Sequence, residues 1–149
     1  MVPLMANSTF EEEIQRSGRL VYTNVGRSMM PLIRQHRDLV IIEKPQGRCR
    51  KYDVPLYRKD GRYILHRILK VREGDYVIRG DNCWQKEYGI TDSQIIGVLS
   101  AVVRDGKTIP VTDWRCRAYA RLWHAIFPAR AALMRLRALP GFLRRRLGR

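Results

Sequence analysis

A chain of 149 residues is long enough to bury one core without disulfides or a structural metal. Its formal charge of +15 is unevenly placed: from Trp114 to Arg149 there are ten arginines and no acidic residue, so most of the excess belongs to the C-terminal end. Such a block suits nucleic acid or an anionic membrane surface. Cys49, Cys83 and Cys116 are scattered, with no Cys-x-x-Cys and no histidine at zinc spacing. No metal or other cofactor is therefore expected, and a reduced compartment is favoured. No apolar run approaches the ~18–20 residues of a spanning helix. Met1 to Ala6 is short and precedes acidic Glu11-Glu12-Glu13, unlike a signal peptide, so the chain reads as non-integral and cytoplasmic.

In chain order, Ser8 or Thr9 caps a short helix over Glu11 to Arg16 that ends at Gly18. Leu20 to Val25 reads as a strand, followed by the turn Gly26-Arg27-Ser28-Met29-Met30-Pro31. A second apolar strand, Leu39 to Glu43, follows His36-Arg37-Asp38. After the polar loop Lys44 to Lys51, the segments Val54 to Arg58 and Arg62 to Val71 flank Asp60-Gly61, a strong hairpin signal. Tyr76 to Arg79 is a strand broken by Gly80-Asp81-Asn82, and Ile95 to Val103 pairs with Thr108 to Val111 around Asp105-Gly106. From Thr112 the period becomes helical. Pro128 separates Trp114 to Phe127 from a second helical stretch, Ala129 to Leu139, and Phe142 to Leu147 closes the chain.

A serine between a glycine and a proline at a strand end can be exposed to substrate while turn N–H groups point at the same space, as an oxyanion requires. Gly26-x-Ser28-Met29-x-Pro31, Asp38-Leu39-Val40, His66-Arg67-Ile68 and Gly80-Asp81-Asn82, in this order, resemble the successive boxes of the signal peptidase I family. The closest resemblance is to the branch with a histidine base in place of lysine, and it covers roughly residues 20–103. It implies a mainly β, signal peptidase/LexA-like coiled body with a short N-terminal helix, here followed by the basic helical tail, α+β overall. We divide the chain at this point into a catalytic domain, 1–113, and a tail, 114–149.

The resemblance also implies a serine endopeptidase acting on a signal or leader segment of a peptide substrate. Ser28 is the expected nucleophile and His66 the general base, whose ordinary pKa of ~6.5 lets it cycle a proton near pH 7. Asp81 is the preferred acid to orient His66, with Glu87 as a second candidate. Arg67 is expected in a structural ion pair with one of these acids, and the Ser28 backbone N–H in the oxyanion hole. His36 and His124 read as ordinary surface residues. An extended substrate is expected along residues 22–25 and 63–65.

In the tail, a basic face opposite Trp114, Leu122, Trp123, Ile126 and Phe127 suits the bilayer interface better than nucleic acid, whose phosphates need no apolar stripe. The same stripe also suits packing on the β body, and the two readings stand level. A peripheral position at the inner membrane face would follow from the first. Two other functions stand behind the peptidase. One is a self-cleaving LexA-like repressor, disfavoured because no helix-turn-helix or lysine base is visible. The other is a catalytically inactive signal-peptidase-like binding module that works at membranes through the basic tail.

Overall fold

The computed structural model describes residues 9–138. Helix α1, Phe10–Ser17, starts where the Thr9 hydroxyl accepts from the Glu12 N–H and the Glu12 carboxylate accepts from the Thr9 N–H. This reciprocal cap satisfies two otherwise orphaned donors. Nine strands follow: β1 Arg19–Thr23, β2 Leu39–Glu43, β3 Pro55–Lys59, β4 Arg62–Leu65, β5 Arg67–Val71, β6 Tyr76–Arg79, β7 Glu87–Ile90, β8 Ile95–Arg104 and β9 Lys107–Pro110. Helices α2, Trp114–Ala125, and α3, Phe127–Ala138, complete the described chain. It is mainly β, α+β overall. Residues 139–149, including the stretch Phe142 to Leu147, lie outside the described residues.

The strands form two antiparallel sheets. The larger runs β1-β2-β8-β3-β4, with β9 sharing the long strand β8, and the smaller runs β5-β6-β7. Both tight hairpins carry Asp-Gly with positive φ at both positions, 51° and 74° at Asp60-Gly61, 49° and 77° at Asp105-Gly106. That twist matches the twist of paired strands, which is why this dipeptide was a reliable signal. One core lies under the larger sheet and includes Ile14, Leu20, Met29, Ile33, Val40, Ile42 and Leu56. A second, with Tyr57, Ile68, Tyr76 and Ile78, joins the two sheets.

The segment Arg62 to Val71, read as one strand, is two. β4 pairs with β3 in the larger sheet, β5 pairs with β6 in the smaller, and His66 is the single residue between them. The chain changes hydrogen-bonding partner at this corner, where the His66 N–H still donates to the Pro55 carbonyl of β3 at 3.4 Å and the next residue already pairs with β6. Strand β7, a short and largely polar segment, was not foreseen. Its pairing with β6 supplies what its own sequence lacks.

The edges of the larger sheet, β1 and β4, approach each other across α1. Phe10 lies 5.0 Å from the Tyr22 ring and 4.6 Å from the Tyr63 ring.

Helix α2 packs on the smaller sheet. The Tyr119 hydroxyl donates to the Asp81 carboxylate at 3.1 Å, while Trp123 Nε1 and Arg130 of α3 both donate to the Asp81 carbonyl. Pro128 sits in the first turn of α3, where its missing N–H costs least. No helix among the described residues is long and apolar enough to cross a membrane.

Candidate active site

Ser28 lies in the β1–β2 connection, half-buried, with neighbours Met29 and Ile33 driven into the core as anchors. Asp38 secures the other end of this connection. Fully buried, it accepts from the Arg34 N–H and from the side chains of Arg34 and Arg104. Burial alone would raise its pKa, but the two guanidiniums hold it down at about 2. The Asp-Leu-Val box thus ends the serine loop and begins β2.

The Gly80-Asp81-Asn82 turn holds the loop from the opposite side. The Asn82 N–H donates to the Ser28 carbonyl at 2.7 Å and its side-chain amide to the Arg27 carbonyl at 3.3 Å. At Gly80 a side chain has no room, because a Cβ would stand 2.7 Å from the Ser28 carbonyl oxygen, 2.8 Å from Cys83 Sγ and 3.0 Å from His66 Cδ2. The serine backbone and the imidazole edge therefore flank one point. Gly80→Ala is expected to push them apart at a stability cost of about 1–3 kcal/mol, which thermal unfolding of the variant checks.

His66 is mostly buried at the corner between β4 and β5. Its Nδ1 lies 3.0 Å from the Glu87 carboxylate and 3.2 Å from the Tyr57 hydroxyl, and Tyr57 also donates to Glu87 at 2.9 Å. Lys59 completes the group, 3.1 Å from the second Glu87 oxygen. His66 Nε2 makes no hydrogen bond with the described residues. A carboxylate on Nδ1 fixes the proton there and leaves Nε2 as the basic nitrogen. Burial pulls the His66 pKa below 6.5, opposed chiefly by the Glu87 charge. For Glu87, burial pushes upward but Lys59, Tyr57 and His66 outweigh it, so the carboxylate stays ionised.

Asp81, the acid expected at His66, does not contact it. Its side chain is fully buried and accepts a two-pronged pair from Arg67, both bonds 2.8 Å, plus the Tyr119 hydroxyl. Against burial, Arg67 holds its pKa at about 2. The acid that touches the imidazole is Glu87. The reason is geometric: Arg67 and His66 are adjacent and point to opposite sides of the corner, so each takes a different acid.

His124, expected at the surface, is also largely buried. Its Nδ1 accepts from Arg79 at 2.9 Å and its Nε2 faces Asp81 at 3.5 Å. His36 is exposed. Tyr57 and Lys59, which support Glu87, went unnoticed in the sequence, where their only signal is that alternate residues of a strand share a face.

The Ser28 N–H makes no hydrogen bond within the described residues, and none joins Ser28 Oγ to His66. Catalytic hydrogen bonds in unliganded sites are often long and tighten on the substrate. Among the described residues, no group of three or more His, Cys, Asp or Glu could hold a metal ion. No family model matches the chain, and no curated protein matches it as a relative.

Proposed function

We propose that this chain is a serine endopeptidase in the manner of the histidine-base signal peptidases, cleaving a leader or signal segment. The observation that carries the proposal is a mostly buried imidazole held through Nδ1 by an ionised glutamate, beside a serine turn whose backbone N–H makes no hydrogen bond among the described residues. In this reading His66 Nε2 takes the proton as Ser28 Oγ attacks the scissile carbonyl. The charge developing on the carbonyl oxygen is met by the Ser28 N–H, and that on the imidazolium by Glu87. His66 returns the proton to the departing amine, and water, deprotonated by the same imidazole, then releases the acyl group.

The substrate is an extended peptide that borrows the free edges of β1 and β4, where unpaired backbone groups accept an added strand. A cytoplasmic enzyme processing a leader peptide, peripheral to the inner membrane face, fits the basic tail. The one other reading is a catalytically inactive binding module of the same shape.

The two part in one experiment. An activated phosphonate at neutral pH is expected to label the parent protein, and neither Ser28→Ala nor His66→Ala. A folded parent that takes no label removes the enzyme and leaves the module.

A further inference from the structure

Arg79 is 3% exposed at the end of β6, yet no carboxylate lies within ion-pair distance among the described residues. Its Nη2 donates to His124, and its guanidinium stacks 3.3 Å from the centre of the Phe127 ring. Its Nε is buried without an acceptor. A buried cation with no counter-ion is costly, and an orphaned donor adds to the cost.

Arg79 also lines a cleft of about 360 Å³ between the smaller sheet and the helices. Three exposed cations line the same cleft: Lys51 from the β2–β3 connection, Lys86 from the β6–β7 connection and Arg121 from α2. None of the three is ion-paired among the described residues. Four cations thus approach one space from four separate elements, and no acid lines it. A second cavity of about 380 Å³ shares Lys51 and Arg121 and continues the groove along α2.

We infer that this cleft is a binding site for a phosphate group. A tetrahedral anion accepts donors arriving from several directions, whereas a planar carboxylate suits a single fork. Ala125, Phe127 and Pro128 add an apolar part to the lining. On the same helical pair, outside the lining, Leu122 and Ile126 stand 65% and 41% exposed. A phosphodiester with acyl chains, as in an anionic phospholipid headgroup, meets both features. A free phosphate meets only the first.

The test is binding of the full chain to phosphatidylcholine vesicles with and without phosphatidylglycerol, and, separately, titration with inorganic phosphate. Two double variants are compared, Lys51→Ala/Arg121→Ala in the cleft and Arg115→Ala/Arg137→Ala outside it, each first checked for a parent-like unfolding temperature. Both remove two positive charges, so general attraction to an anionic surface falls equally in the two. The cleft variant is expected to lose about tenfold more affinity than the other, the worth of a charge-assisted contact. Loss of this kind on phosphatidylglycerol vesicles assigns the lipid headgroup, and loss only in the inorganic phosphate titration assigns a free phosphate. Equal losses in the two variants, or no binding by the parent in either arm, overturn the site. None of these readouts involves Ser28 chemistry, so they stand apart from the peptidase proposal.

Discussion

Glu87→Gln is expected to lower kcat/KM by about 10³–10⁴-fold while costing no more than about 1 kcal/mol of stability. The amide keeps the shape at His66 Nδ1 but no longer stabilises the imidazolium or fixes the tautomer. The stability cost stays small because the carboxylate is partly solvated and its pair with Lys59 is near the surface. The pH profile gives a second readout. The base must be neutral to act, so activity is lost as pH falls through the His66 pKa, which burial places below 6.5. Removing the Glu87 charge removes the main influence opposing burial, so the acidic limb moves further down in the variant. A variant with parent-like turnover, or a limb that moves up, would sink the assignment of Glu87 as the orienting acid.

Asp81→Asn is expected to do the opposite, destabilising the protein by about 3–5 kcal/mol and lowering Tm by about 10 °C or more. The guanidinium of Arg67, 5% exposed, would remain buried without its counter-charge. The asparagine would also weaken the bond from Tyr119 that helps dock α2. The pH dependence follows from a folded pKa of about 2 against an ordinary 3.8. A depressed carboxylate stabilises the fold fully above its ordinary value and ceases to as pH falls through the folded one. The gap between parent and variant should therefore hold at neutral pH and narrow from pH 3.8 toward 2. Unfolding of both proteins across that range checks it. Parent-like stability with lost activity would return Asp81 to the role of orienting His66.

Local elements were legible because each is decided within a few residues. Thr9 and Glu12 cap α1 between them, Gly18 ends it with φ of 76°, and each Asp-Gly sets its own hairpin. The nearly continuous apolar runs of β2 and β8 mark both as strands before any partner is known. The serine turn, the histidine and two acids could likewise be picked out as a set.

Which acid serves which cation could not. Asp81 and Glu87 both follow His66 at a distance no local rule spans, and the choice between them depends on the corner where the chain leaves β4 for β5. That corner is where one apolar segment divides between two successive hairpins, β3–β4 and β5–β6, and nothing in the residues marks the point of division. The same holds for β7, which carries Glu87 and exists through its pairing with β6. His124 was misread because its surroundings in sequence are basic, while in space it lies between Arg79 and Asp81. Caps, turns, apolar strands and the charge of the tail follow from the residues alone, since these depend on backbone preference and composition. The tertiary structure alone decided the partners of the buried charges, because a charge removed from water is governed by whatever opposite charge the fold brings within reach, however distant along the chain.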